Sequence, residues 1–257
     1  MKFKFGFIAL LFLVGSCSYF SDPGSELVLN VDNEFEIEMV EILEPTQRSL
    51  AINITLLDQF KCQDSELGLV QNISNNNLSI IIQDIITPPD CNDETSYPQG
   101  TATFHVNNNT YDLGIQVQEQ VNQNGILQVS DKGYELDLST AKGLIIDQPY
   151  INKIPSRFIW GYYQAVDSSE QEIIESFLLR NDYSTRPLTY MKPGKYSYFE
   201  IDEQGEIFVN DAPSSGIVKT LAFDLADLNE IKEVVSNFKA THSDINLKLF
   251  GSDGSVF

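Results

Sequence analysis

The 257-residue chain has few of the side chains from which catalytic and metal sites are usually built. It contains two histidines, His105 and His242, and three cysteines. Neither histidine has a histidine or cysteine at metal-ligand spacing, so we expect no metal site and interpret both histidines as structural or solvated. A Walker A loop, a Gly-x-Ser-x-Gly elbow and a dinucleotide-binding fingerprint are also missing. The sequence therefore nominates no catalytic residue and no cofactor.

Basic residues are scarce as well. Lysine and arginine total 16 against 37 aspartates and glutamates, which gives a formal net charge of -21 at pH 7. A chain this acidic repels phosphate groups, so we expect no nucleic-acid partner. The same repulsion disfavours docking of the folded body on anionic lipid. Excess charge of one sign is most often a device for solubility.

The chain also lacks an apolar run long enough to cross a membrane. The most apolar stretch, from Phe5 to Val14, is far shorter than the about 20 residues that a spanning helix needs. It follows the basic residues Lys2 and Lys4, as the apolar part of a secretory signal does. The small residues Gly15 and Ser16 then lead directly to a cysteine at position 17.

This order of basic, apolar and small residues before Cys17 resembles the signal peptide of bacterial lipoproteins. The resemblance implies that residues 1–16 are removed and that Cys17 becomes a lipidated N-terminus, with residues 17–26 as a tether. The partner of the chain would then be a membrane, reached through the lipid. Ser18 stands where Asp would signal inner-membrane retention, which implies the outer membrane of the cell envelope, on its periplasmic or surface face.

Two cysteines, Cys62 and Cys91, remain after the signal segment. In an exported chain such a pair predicts one disulfide, because the systems that reduce thiols are cytosolic. The alternative is a redox-active or nucleophilic thiol, but no histidine or further cysteine lies nearby in the sequence to activate one. We therefore expect a structural bridge.

Residues 27–149 have the pattern of many short strands separated by turns. Phe35, Ile37 and Met39 alternate with polar residues, as the buried face of a strand does. We predict an antiparallel β-sandwich, immunoglobulin-like or related. The prolines at 149 and 155 bracket a predicted boundary between two folding units.

Residues 155–257 predict a smaller α+β domain, with two helices on an antiparallel sheet. Ser168 and Gln171 have the spacing of a capping box at the start of the first helix, and Asp227 and Glu230 mark the second. Asn181 is the expected end of the first helix. A hairpin is predicted from two strands, 196–201 and 206–209.

The strand that begins at Phe158 contains three further aromatic residues, Trp160, Tyr162 and Tyr163. We take these three as the candidate binding face, because exposed rings stack on sugars and anchor protein partners. Burial in the core is the more common fate of such residues. If any are exposed, Tyr162 and Tyr163 are the expected pair.

Two functions from different classes remain. The first is a non-enzymatic envelope lipoprotein that binds a glycan, a peptide or a partner protein, or that takes part in assembly. The alternative is a polymer hydrolase, which needs only an Asp/Glu pair about 5 to 9 Å apart across a cleft. With 37 acidic residues present, the sequence cannot nominate such a pair.

Overall fold

The computed structural model describes residues 34–91, 94–117, 121–139, 143–183, 188, 190–224 and 228–257. These residues are mostly strand, with two helices, α1 (Ser168–Arg180) and α2 (Leu228–Thr241), so the predicted combination of a mainly-β part and a small α+β part is confirmed. The strands are β1 (Phe35–Leu43), β2 (Arg48–Leu56), β3 (Phe60–Lys61), β4 (Glu66–Ser74), β5 (Asn77–Ile86), β6 (Thr95–Ser96), β7 (Gln99–Phe104), β8 (Asn109–Val117), β9 (Val121–Val129), β10 (Gly133–Leu138), β11 (Leu144–Ile146), β12 (Tyr150–Asn152), β13 (Phe158–Ala165), β14 (Gly194–Tyr196), β15 (Phe199–Ile201), β16 (Ile207–Val209), β17 (Ile217–Asp224) and β18 (Asn246–Gly251).

One large sheet contains thirteen of the described strands, in the order β11-β1-β2-β7-β4-β5-β8-β9-β10-β12-β14-β15-β16. Most neighbours are antiparallel, but β1–β11, β4–β7, β5–β8 and β12–β14 are parallel, the second and the fourth through a single residue pair each. The parallel pairs depart from the all-antiparallel pattern of an immunoglobulin sandwich. Buried side chains from β1 to β12 form a single cluster, which requires the sheet to curl around them.

The alternation in β1 sets the register of this sheet. Phe35, Ile37 and Met39 are almost fully buried and lie opposite Leu56, Ile54 and Ile52 of β2. A slip of one residue would move this whole apolar face into water, so the hydrophobic pattern specifies the pairing strongly. The predicted inward face of β1 is therefore confirmed.

Where β4 and β7 diverge, a side chain continues the pairing of the strands. The two strands share a single parallel pair, Glu66 with Gln99. Further along, the Gln71 amide donates to the Thr103 carbonyl at 3.0 Å and accepts from the Thr103 N–H at 2.6 Å. A glutamine side chain thus supplies the donor and acceptor that a neighbouring strand would otherwise provide.

A second sheet, in the order β17-β13-β18, has β13 at its centre. The two helices cover one face of this sheet, where Ile159 and Tyr163 of β13 join the cluster that includes Ile174 of α1 and Ile231 of α2. Residues of β14, β15 and β16 cover the other face, where Phe158, Trp160 and Tyr162 lie. Because β13 is enclosed on both faces, nearly all of its side chains are buried.

The segment predicted as a boundary between folding units is itself part of the large sheet. Residues 150–152 form β12, which pairs with β10 on one side and meets β14 at the pair Asn152 and Tyr196. The sheet therefore runs without interruption from the first predicted unit into the second. Whether residues 155–257 fold alone stays a prediction.

Local details of the helical part differ from two expectations. The N-cap of α1 is Asp167, one residue earlier than predicted, and its Oδ1 accepts from the N–H groups of Ser169 and Glu170. Glu170 reaches back to the N–H of Val166, the residue before the N-cap, at 2.6 Å, so Asp167 and Glu170 cap this helix end in place of the predicted Ser168 and Gln171. A carboxylate accepts these amide protons more strongly than a hydroxyl does. Asn181 caps the other end, as expected.

The predicted strand over residues 196–201 is interrupted by a tight turn, and only its second half, β15, is a continuous strand. Tyr196 at the end of β14 pairs with Phe199 at the start of β15, so the chain reverses at Ser197 and Tyr198. The hairpin around residues 202–205, between β15 and β16, is confirmed. For the second helix, the expected start at Asp227 lies outside the described residues.

Candidate functional site

The structure describes the two cysteines predicted to form the disulfide, but not the cysteine predicted to carry lipid. Cys17 lies outside the described residues. Cys62 and Cys91 lie at disulfide distance, with their Cα atoms 5.3 Å apart. Cys62 is fully buried and Cys91 is exposed, next to the small β3–β6 pair. This arrangement is consistent with the structural bridge that the sequence predicts.

The candidate binding face on β13 is not available to a ligand. Trp160, Tyr162 and Tyr163 are 2%, 6% and 0% exposed. Trp160 packs against Tyr198 and Phe250 at centroid distances of 5.8 Å each. Tyr162 and Tyr163, the pair expected to be exposed if any of these rings is, are buried as well, because the central strand of a sheet covered on both faces has no free side. The core interpretation of these rings holds instead.

The Tyr163 hydroxyl nevertheless makes a polar contact at the rim of the helical layer. It donates to Glu175 Oε1 at 2.9 Å, and Gln171 and Lys219 donate to the same oxygen. These three hydrogen bonds lower the pKa of Glu175 to about 2. Burial, reinforced by Glu175, raises the pKa of Tyr163. The group is a satisfied ion pair on the surface of α1.

One histidine has a serine partner that the sequence did not reveal. His105 Nδ1 lies 2.7 Å from Ser49 Oγ, and the two residues are brought together by the pairing of β2 with β7. Ser49 is only 1% exposed, so its hydroxyl cannot reach a substrate. No described carboxylate bonds to the His105 ring, as the orienting member of a triad would. The pair is a covered hydrogen bond and not a nucleophile with its base.

The site with the most unusual geometry lies where the curled sheet meets itself. We call this line of contact the seam: it runs along the edge of β1 that does not face β2, and its other side is formed by residues 144–154 and the β14–β15 turn. At one end β11 pairs with β1 from Phe35 to Ile37. The Asp147 N–H donates to the Ile37 carbonyl, and then the chain turns away towards β10.

Further along β1 the seam is closed again, by polar side chains. The Glu41 N–H donates to Ser197 Oγ at 2.6 Å. The Glu41 side chain is fully buried, and its carboxylate accepts from Arg48 at 3.1 Å, from the Tyr134 hydroxyl at 3.2 Å and from the Ile154 N–H at 3.0 Å. Arg48 also donates to the Ile154 carbonyl. The carboxylate is therefore paired and hydrogen-bonded, as a buried charge must be.

The buried carboxylate also affects the groups around it. The pKa of Tyr134 is raised, first by burial and then by the adjacent Glu41, because a second negative charge beside it is unfavourable. Lys153, whose ammonium lies 4.9 Å from the centre of the Tyr134 ring, has its pKa lowered by burial. Both shifts follow from the exclusion of water at this closed stretch of the seam.

Between these two closures the seam is open at Met39. In an antiparallel pair the N–H and C=O groups of successive residues point alternately towards and away from the partner. Because Phe35 and Ile37 bond towards β11 and Glu41 bonds towards Ser197, Met39 also directs its N–H and C=O away from β2. Among the described residues no backbone group of the seam bonds to Met39.

A cleft of about 260 Å³ occupies this opening, and we call it the seam cleft. Its walls come from the β1 edge, the β11–β12 connection, β12, the β14–β15 hairpin and the residue after β16. The lining is mainly polar and is made by Glu38, Met39, Asp147, Gln148, Ile151, Lys195, Tyr196, Ser197, Phe199, Glu200 and Asn210.

The charge of the seam cleft is negative. Glu38, Asp147 and Glu200 contribute three carboxylates, against the single ammonium of Lys195. Lys195 Nζ bonds to Asp147 Oδ2 at 3.1 Å, which neutralises one acid. Burial raises the pKa of Tyr196, on the inner wall, to about 12, so its ring stays neutral. Within the described residues no three acidic, histidine or cysteine side chains converge on a metal position, here or elsewhere.

A pattern in the sequence indicates the closed stretch of the seam, but no pattern indicates the cleft. Glu41 and Arg48 fall on the inward, apolar phase of β1 and β2, where a charged residue predicts a buried ion pair. The cleft depends on pairings between residues distant in the chain; the bond from Glu41 to Ser197, for example, spans 156 positions. No local pattern encodes a contact of that range.

The chain matches no protein-family model, no curated protein and no solved structure. In the part of the chain that the structure describes, neither helix has the length and apolar character to cross a bilayer. The geometry of the seam is therefore the basis for assigning a function.

Proposed function

We propose that this chain is a lipid-anchored protein of the bacterial cell envelope that binds a ligand in the seam cleft without transforming it. The observation that carries the proposal is the open stretch of the seam at Met39, a concave and polar site between two closed stretches. The signal-like segment before Cys17 supports the location, and the lipid on Cys17 would be the contact with the outer membrane. The ligand classes are those of an envelope partner: a peptide, a glycan or a segment of another protein.

The chemistry of the cleft favours binding over catalysis. Its polar groups include backbone amides, a hydroxyl, two side-chain amides and carboxylates, which fix the orientation of a ligand by hydrogen bonds. The histidines lie elsewhere: His105 bonds to the covered Ser49, and His242 stacks on Phe238 at 4.6 Å at the end of α2. Recognition by hydrogen bonds and charge needs no activated nucleophile.

The location is tested by labelling cells with a fatty-acid analogue. Wild-type protein should take up the label, and a Cys17→Ala variant should not. Equal labelling of the two proteins would contradict the lipid anchor. Fractionation of the membranes then distinguishes outer-membrane from inner-membrane sorting, and only the outer-membrane result agrees with the proposal.

The binding role is tested by filling the cleft. Asn210 is exposed at the cleft wall, so Asn210→Trp should obstruct the site without disturbing the core. The matched control is Glu203→Trp, at the exposed tip of the β15–β16 hairpin. A panel of blocked peptides and neutral oligosaccharides, followed by amide chemical shifts, should give saturable changes in the wild type and the control only. Changes that persist in Asn210→Trp would place the binding site elsewhere and contradict the proposal.

A hydrolase remains the second candidate, because three carboxylates line the same cleft. Glycosidases place two such groups on opposite sides of a scissile bond. Turnover of an envelope polymer by the purified chain, abolished by Glu38→Gln or Glu200→Gln with the fold intact, would establish this alternative. If the wild-type chain binds a polymer or peptide but turns over no substrate, the result favours the non-enzymatic role.

A further inference from the structure

We infer that the ligand of the seam cleft is a short extended peptide segment that carries a lysine or arginine side chain. This inference rests on the proposed binding function and makes it specific. It depends on three properties of the cleft: an unpaired strand edge, an uncompensated negative charge and a small volume.

The unpaired edge selects a peptide. Met39 offers one N–H and one C=O side by side on the free edge of β1, in the plane of the sheet. A strand edge of this kind is completed by an added backbone in the mode known as β-augmentation. On either side the edge is already used, by Asp147 bonding to Ile37 and by Ser197 bonding to Glu41. Only a short backbone, such as one residue with its two flanking amides, can pair there.

The charge selects a basic side chain. Asp147 is paired with Lys195, whereas Glu38 and Glu200 retain negative charge at the rim. Glu38 has a single weak contact with a neutral group, Asn53 Nδ2 at 3.4 Å. Glu200 lies opposite Lys195 across the β14–β15 hairpin, but the Lys195 ammonium bonds to Asp147. An ammonium or guanidinium from the ligand would compensate the remaining charge with charge-assisted hydrogen bonds.

The volume limits the length of the segment. A cleft of about 260 Å³ is smaller than sites for drug-sized ligands, which begin at about 300 Å³. The open stretch of β1, from Ile37 to Glu41, extends about 13 Å at about 3.3 Å per residue. A segment of about three residues fits this length, with its central residue opposite Met39.

The experiment uses the chain from position 17 to 257, with Cys17→Ser to prevent lipidation, and amide chemical shifts as the readout. The probe is the blocked tripeptide Ac-Ala-Lys-Ala-NH2. It should bind with a dissociation constant of about 1 mM or tighter and should shift the Met39 amide. Ac-Ala-Gln-Ala-NH2, which lacks the cation, and n-butylamine, which lacks the backbone, should each bind about tenfold more weakly.

Variants then test the residues. The combination Glu38→Gln with Glu200→Gln should weaken binding of the lysine peptide by about tenfold or more. Glu66→Gln removes an exposed charge of β4 outside the cleft and should leave binding unchanged. The dispersion of the amide spectrum shows that each variant is folded.

Three results would overturn the inference. Equal affinity for the lysine and glutamine peptides would remove the role of charge. Equal affinity for n-butylamine would show a cation site without strand pairing. No shift with the lysine peptide at about 10 mM would exclude a peptide ligand. In this last case the proposed function still stands if an oligosaccharide of the panel shifts the cleft and Asn210→Trp prevents it, so the two failures are distinguishable.

Discussion

Two stretches of one strand edge, separated by a single residue, have opposite fates in this molecule. At Glu41 the seam is closed: the backbone N–H bonds to Ser197, and the carboxylate accepts three further hydrogen bonds. At Met39 the same edge faces a cleft of about 260 Å³. The two residues share a strand, a direction and an inward-facing side chain, so the difference arises from what the opposite side of the seam provides.

Elsewhere in this fold, polar side chains close similar gaps between neighbouring strands. Gln71 bridges to Thr103 where β4 leaves β7, and Ser197 bridges to Glu41 across the seam. A serine or glutamine side chain opposite Met39 would close the cleft in the same way. No described side chain bonds to the Met39 backbone in this way, and the cleft lining combines amide, hydroxyl and charged groups that are suited to a ligand.

The largest effect is expected from breaking the closed stretch. Glu41→Gln removes a fully buried carboxylate and leaves the Arg48 guanidinium, whose side chain is 28% exposed, without its counter-charge, which should lower the free energy of unfolding by about 3 kcal/mol. Glu38→Gln, three positions earlier in the same strand and therefore on its outward face, should change it by less than about 0.5 kcal/mol. Urea denaturation of both variants measures the difference. Similar small losses in the two would show that the Glu41 group does not hold the seam.

The next largest loss of stability is expected at the cysteine pair, which lies outside the seam. If Cys62 and Cys91 are bonded, the closed loop spans a sequence separation of 29, and replacing both by alanine should cost about 3.5 kcal/mol in the chain-entropy model. The seam cleft should keep its affinity for the lysine peptide, because stability and binding are carried by different regions. Two free thiols in freshly isolated, denatured protein would contradict the bridge.

A smaller loss of stability is expected when the open stretch of the seam is extended from Met39 to Glu41. Ser197→Ala removes the acceptor of the Glu41 N–H, which should cost about 1 kcal/mol, the usual net value of one hydrogen bond. The carboxylate bonds of Glu41 remain, so the protein should stay folded. Ser214→Ala, at an exposed position outside the cleft lining, is the control and should be neutral. A neutral Ser197→Ala would mean that this bond does not close the seam.

The smallest effect on stability is expected at the rim. Lys195 and Asp147 are 43% and 42% exposed, and such ion pairs contribute about 0 to 1 kcal/mol. Lys195→Gln should therefore leave the melting curve almost unchanged. Because it removes the one ammonium among the described residues of the lining, it should tighten binding of the lysine peptide. Weaker binding in this variant would contradict the assigned charge of the cleft.

The sequence predicted the elements of this fold better than their assembly. The alternation of Phe35, Ile37 and Met39 and the apolar faces of both helices are local patterns, and the structure follows them. The burial of Trp160 depends on β14 to β16 packing against its face of β13, which no pattern within β13 reveals. The turn at Ser197 interrupts a stretch that reads as one strand. The cleft exists only because that turn is placed beside β1.

The central claim, that the seam is closed at Glu41 and open at Met39, is tested most directly by amide hydrogen exchange at these two residues in the free protein. The account predicts that the Met39 amide exchanges about tenfold or more faster than the Glu41 amide, because only the latter is hydrogen-bonded across the seam. Addition of Ac-Ala-Lys-Ala-NH2 should slow exchange at Met39 and leave Glu41 unchanged. Equal protection of the two amides in the free protein would contradict the claim, since it would mean that the seam has no open stretch.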